Sequence, residues 1–225
     1  MLQQYVRALS PRMEFAIVLS FAFGYFILGS TLTFFTPASD SHISEAHLRF
    51  LIVYEMALLS LLGAFLSIRG WNAKLLGVLP TLKDSLTGIG LAIVAYMAYV
   101  AVWLVFGGLV PAAREVPDNL VASHLSGMTV VAASLINGVF EEVFVCGYII
   151  SAIRKSRSIL LAINVSVAVR VAYHLYQGAF GVISIVPLGL VFAHWFARTG
   201  RLWPAITAHI LFDLAALAPY VGEQS

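Results

Sequence analysis

The chain has 225 residues, 60% of them hydrophobic and only 11% charged, with a formal net charge of +2. Soluble domains carry about 25% charged residues, so this composition excludes an ordinary water-soluble globule and points to a lipid bilayer. The slight basic excess is too small to suggest nucleic acid, and the single cysteine, Cys146, allows no internal disulfide.

Apolar stretches long enough to cross about 30 Å of hydrocarbon fall near residues 14–35, 48–68, 86–110, 126–151, 158–176, 179–197 and 203–220. They predict an all-α, polytopic transmembrane helical bundle of about seven spans. The last three stretches are short, and a six-span or eight-element count remains open from sequence. The first follows Arg7 and Arg12, as a secretory signal would, but it is too long for a signal core and no A-x-A pattern follows. It is expected to stay as an anchor helix. The segment 71–84, "WNAKLLGVLPTLKD", mixes apolar and basic residues and is expected along the membrane interface. With no internal repeat and no long polar loop, residues 1–225 are expected to form one integral membrane domain.

Basic residues concentrate in loops that stay cytoplasmic. With the N-terminus inside, one side collects Arg7, Arg12, Arg69, Lys74, Lys83, Arg154, Lys155, Arg157, Arg198 and Arg201. The other keeps Arg49 and Arg114, and Arg170 lies within a span. The alternation holds at every loop, so the N-terminus is expected in the cytoplasm and the C-terminal "GEQS" outside. The setting expected is a bacterial plasma membrane, with the lipid bilayer as first partner and no nucleic acid.

Ionisable groups inside a membrane cost at least ~2.5 kcal/mol each and are functional candidates by default. Here they are Glu55, Glu141, Glu142, Arg170, His174, His194, His209 and Asp213. At ~1.5 Å of rise per residue, Glu141, His174, His209 and Asp213 lie about 20, 25, 12 and 18 Å from the basic edges of their helices. These depths overlap enough for one shared, hydrated pocket. "HILFD" puts His209 and Asp213 on one helix face at i and i+4, and "RVAYH" does the same for Arg170 and His174. Glu141 and Glu142 point about 100° apart and so are expected to have two different roles.

A carboxylate and a histidine in such a pocket can hold and deprotonate a water, while a second histidine stabilises the oxyanion formed on an amide. That chemistry is peptide hydrolysis. Glu141, His174 and His209 are also ligand types that suit a divalent metal such as zinc, and the sequence does not choose between the two versions. The bland alternative for the two glutamates is a structural ion pair with Arg170, and for each histidine a hydrogen-bonded core side chain. His194 is expected at the interface, and Glu55 is set aside as a group that pairs within the bundle or lines water. Cys146 is read as a small apolar residue, Tyr176 and Gln177 as turn residues able to meet a substrate, and Trp195 and Trp203 as interfacial anchors.

Over residues 120–220 the chain resembles the CPBP family of intramembrane proteases, the CAAX protease and bacteriocin-processing group. "EEVFVCG" is similar to its E-E-x-x-x-R motif, "RVAYH" to F-x-x-x-H and "HILFD" to H-x-x-x-N/D, in the family's order. The resemblance implies Glu141 as general base, His174 as its helper, Glu142 as the residue that orients the site, and His209 with Asp213 at the oxyanion or a metal. It implies a membrane-associated peptide or protein as substrate, possible members being CAAX-type tails and peptide precursors. Here Cys146 replaces the motif arginine, Arg170 the phenylalanine and Asp213 the commoner asparagine. One antiparallel turn of helix would bring Arg170 to the level of the missing arginine, where it would neutralise Glu142 and leave Glu141 free to act on water. Asp213, when ionised, accepts but does not donate hydrogen bonds, which leaves oxyanion binding to His209. Competing readings are an ion-coupled transporter, and a catalytically silent membrane scaffold or immunity protein.

Overall fold

A computed structural model describes residues 2–36, 43–106, 121 and 124–222. Arg114, residues 107–110 of the third expected span and the last three residues of the "GEQS" tail lie outside the described residues. The elements are α1 (Leu2–Ala8), α2 (Pro11–Phe35), α3 (Glu45–Ile68), α4 (Leu82–Phe106), α5 (Gly127–Glu141), a π-helical segment (Glu142–Tyr148), α6 (Ile149–Arg154), α7 (Ile159–Tyr173), α8 (Gly178–Thr199) and α9 (Trp203–Leu217). Short 3-10 turns at Leu175–Gln177 and Ala218–Tyr220 complete the chain.

The bundle is all-α and has about seven spans. Five helices are long and apolar enough to cross a membrane, among them the continuous run Gly127–Arg154, which joins α5, the π segment and α6. The other two, α7 and α9, have 15 residues each, about 22 Å at the usual rise. Caps fix several starts: the Ser10 side chain accepts from the Met13 amide at 3.2 Å, and that of Ser158 from Leu161 at 3.2 Å. The boundary between α7 and α8 is set at Gly178, whose φ of 74° favours glycine.

The segments that carry the ten basic residues meet at one end of the bundle. There Arg69 bonds Glu14 at 2.6 Å and the Val6 and Arg7 carbonyls, while Trp71 and Tyr148 also donate to Glu14, at 2.9 and 3.1 Å. Lys155 sits 3.8 Å above the Trp71 ring, Arg154 donates to the Ala197 carbonyl at 2.7 Å, and Arg201 pairs with Asp84 at 2.6 Å. The segment 71–80 forms no helix. It is a turn docked on the α8–α9 connection, with the Leu202 amide donating to the Gly77 carbonyl at 2.8 Å. A Cβ on Gly77 would lie 2.2 Å from the Gly200 carbonyl oxygen, so the approach needs glycine. At the opposite end Glu45 accepts from the Ser126 amide at 3.0 Å and from Thr129, and the Tyr176 amide donates to Ser30 at 2.8 Å.

The core is centred on the middle and lower part of the Gly127–Arg154 run, where Phe140, Phe144, Val145, Cys146, Tyr148, Ile149 and Ile150 are all buried. Without a hydrophobic effect between helices in lipid, close packing at small residues has to hold such a bundle. Two glycines do this against α9: a Cβ on Gly88 of α4 would lie 2.5 Å from Thr207, and one on Gly138 of α5 would lie 2.7 Å from Ile210. The second contact fixes the spacing between the helix carrying the glutamates and the helix carrying His209. Gly138→Val is therefore expected to push α5 and α9 apart and destabilise the fold by ~1–3 kcal/mol, seen as a lowered Tm in detergent; an unchanged Tm would contradict this packing.

Candidate active site

The two glutamates part company at the junction of α5 and the π segment. Glu141, the last residue of α5, lines a cavity of about 530 Å³ together with His174, His209 and Asp213. Glu142 opens the π segment and is wholly buried behind the cavity wall. Single-turn π distortions inside α-helices are frequent at functional sites, and this one follows the glutamate pair directly.

Arg170 of α7 is buried and bridges both carboxylates. One guanidinium nitrogen bonds Glu142 Oε1 at 2.5 Å and another reaches Glu141 Oε2 at 3.3 Å. His209 of α9 completes the enclosure of Glu142, with Nδ1 2.7 Å from the same Oε1. Because an ionised carboxylate only accepts, Nδ1 carries the proton and His209 turns Nε2 to the cavity. That nitrogen lies 3.8 Å from Glu141 Oε2 and 3.6 Å from Asp213 Oδ1. Asp213 is steadied by Asn137 of α5, which donates to its Oδ2 at 2.9 Å.

His174 ends α7, and its Nδ1 lies 2.9 Å from the Arg170 carbonyl oxygen. A carbonyl can only accept, so Nδ1–H donates and Nε2 is left with its lone pair. The same contact satisfies one of the orphan carbonyls at the helix end. Tyr173 donates its hydroxyl to Glu141 Oε2 and is stacked on Phe23 at a ring separation of 5.0 Å. Glu141 is thus held on one oxygen by Arg170 and Tyr173.

The structure brings all six candidates together: Glu141, Glu142, Arg170, His174, His209 and Asp213. It corrects two points. Arg170 is level with Glu142, not with Cys146: the Cys146 sulfur faces Ser166, 3.8 Å away and one turn back along α7. Glu141 is also not left free, since the guanidinium spans both carboxylates. Among the described residues no three His, Cys, Asp or Glu side chains are grouped closely enough to hold an ion. A guanidinium already stands beside Glu141.

Sequence reasoning passed over three residues. Asn137 lies one turn before Glu141 on the same face of α5, which is a legible i, i+4 signal. Tyr173 stood inside "RVAYH" beside His174. Glu55 of α3, set aside earlier, lines the cavity and is only 2% exposed, with no hydrogen-bond partner for its Oε2 among the described residues. No local pattern around Glu55 could have placed it there, because its position depends on how α3 packs.

Residues 123–215 match the family described as type II CAAX prenyl endopeptidase Rce1-like. This stretch is similar to that family, in line with the CPBP resemblance of the three motifs. The matched stretch runs from α5 to α9 and contains all six candidates, whereas Glu55 and the α2 and α3 walls of the cavity lie outside it. No curated protein and no solved structure matches the chain. Set against the CPBP motifs, the charge of the motif arginine is supplied here from the neighbouring helix, at the position where the motif has phenylalanine.

Removing that charge would leave Glu142 buried without a cation, which costs about 3–5 kcal/mol. Arg170→Leu is expected to lower the Tm sharply or prevent folding, and Cys146→Arg added to Arg170→Phe to recover part of the loss. A stable, fully folded Arg170→Leu protein would show that the pair is dispensable.

Proposed function

We propose that the chain is an intramembrane endopeptidase that hydrolyses a peptide bond of a membrane-associated polypeptide with an activated water. The observation that carries this reading is the convergence of Glu141, His174 and His209, from three helices, on one cavity. The similarity of residues 123–215 to the type II CAAX prenyl endopeptidase Rce1-like family supports it.

In this reading the oxygen of Glu141 not held by Tyr173 takes the proton of a water that also donates to His174 Nε2. The water oxygen attacks the scissile carbonyl carbon, and the carbonyl π electrons move to its oxygen. In its imidazolium form, His209 donates from Nε2 to that oxyanion. Glu142 acts as a positioning residue, fixing the His209 ring by accepting from Nδ1. Collapse of the intermediate breaks the C–N bond, and the proton gathered on Glu141 passes to the leaving amine. Arg170 keeps Glu141 aimed, and Asp213 stays with Asn137 beside the oxyanion site.

Every one of these steps is carried by the chain's own side chains. The reading is favoured over an ion-coupled transporter by the closed packing, among the described residues, between the cavity and the basic end of the bundle. It is favoured over a silent scaffold because the two histidines present free nitrogens to the cavity beside an acid. Glu141→Gln is expected to lower cleavage of a fluorogenic peptide pool by at least about 100-fold, as loss of a general base does, with little change in Tm. A chelator is expected to leave wild-type cleavage unchanged. Full cleavage by Glu141→Gln, or by a folded His174→Ala protein, would reject this assignment.

A further inference from the structure

The cavity lies wholly in one half of the bundle. Its walls are the C-terminal part of α2 around Thr33, the first turns of α3 around His47, α5 from Ala133 to Glu141, the α7–α8 turn at Gln177, and the last turns of α9 at Asp213 and Leu217. Each of these stretches lies toward the end of the bundle held together by Glu45, Ser126, Thr129 and Tyr220. None lies toward the arginine- and lysine-rich end.

Between Glu141 and the basic end the helix run is packed solid. Phe144, Val145, Cys146, Tyr148, Ile149 and Ile150 are each 1% exposed or less. Below them Glu14 ties α2, α3 and Tyr148 together, and Leu76 and Leu202 close on Gly147, where an added Cβ would lie 3.3 Å from the Leu76 carbonyl oxygen and 3.0 Å from the Leu202 side chain. A polypeptide therefore reaches Glu141 from the other end or from the membrane beside it.

Basic residues mark the cytoplasmic side. We propose that the cavity opens away from the cytoplasm, so that its occupant is a polypeptide segment on the outer side of the membrane: the exposed stretch of a membrane-anchored protein or of a peptide that has already crossed. This rests on the proteolysis reading for what happens to that segment, but the opening itself does not. A lipidated C-terminal tail held in the cytoplasm would meet the sealed face. The class of reaction that supplies the substrate is then export or membrane insertion.

The test is cysteine accessibility with the full chain in a bacterial membrane. Wild type is the blank, since its Cys146 is buried. Ala216→Cys, in the cavity wall, and Ala46→Cys, at the exposed start of α3, are expected to react with a membrane-impermeant thiol reagent in intact cells with the outer barrier removed. Ser156→Cys, at the basic end, is expected to lose labelling completely until the membrane is broken. Labelling of Ala216→Cys only in inverted vesicles, or from neither face, overturns the proposal, as does labelling of Ser156→Cys in intact cells. If Ala216→Cys does not fold, Ala46→Cys against Ser156→Cys decides the orientation. A second arm presents a fluorogenic peptide to right-side-out and to inverted vesicles: Glu141-dependent cleavage is expected in the first, and cleavage confined to the second overturns the proposal. The expected labelling with no Glu141-dependent cleavage from either face sinks the proteolysis reading and leaves the sidedness standing.

Discussion

The bidentate reach of Arg170 to Glu141 and Glu142 is the interaction on which the site depends. A carboxylate with no exposure, deep in a membrane protein, survives only if a cation and further donors replace the lost water. The planar guanidinium does this for two acids at once, which an ammonium could not match in geometry. The bond to Glu142 is the shorter, and it is Glu142 that has lost all contact with the cavity. His209 then adds a second donor to the same oxygen. Three helices, α5 with its π extension, α7 and α9, are locked to one another through a single buried carboxylate.

Other features follow from that lock. The carbonyl of Arg170 orients His174, and the neighbouring Tyr173 holds Glu141, so one turn at the end of α7 fixes three of the groups around the reacting position. The charge that the family motif carries four residues after the second glutamate is carried here by another helix. Ser166 and Cys146 fill the vacated space with small side chains, and Ser166 satisfies itself on the Val145 carbonyl at 2.6 Å. The electrostatic requirement is kept while its covalent position changes.

The bundle divides into a closed half and an open half for a packing reason. Toward the basic end, Gly77 and Gly147 let backbones approach, and Trp71 and Tyr148 fill what remains. Toward the other end the helices part around aromatic walls and polar tips. Glu55 belongs to the open half: it is an acid from outside the matched family segment, facing the same space as Glu141 and Asp213.

The sequence by itself determined the helical class and order of the spans, the concentration of basic residues at one end, and which polar residues lie within the apolar stretches. Those follow from hydropathy and spacing, which are local properties of the chain, and the three motifs at helical spacing made the family legible as well. Only the tertiary structure decided which glutamate meets the cavity, that Arg170 grips both, that Asn137, Tyr173 and Glu55 join the group, and that no three donors gather for a metal among the described residues. These depend on how each helix is rotated about its axis and which neighbour it meets. Which residues of α7 lie level with Cys146 and with Glu142 is set by how the two helices slide past each other, and that leaves no mark in residue spacing.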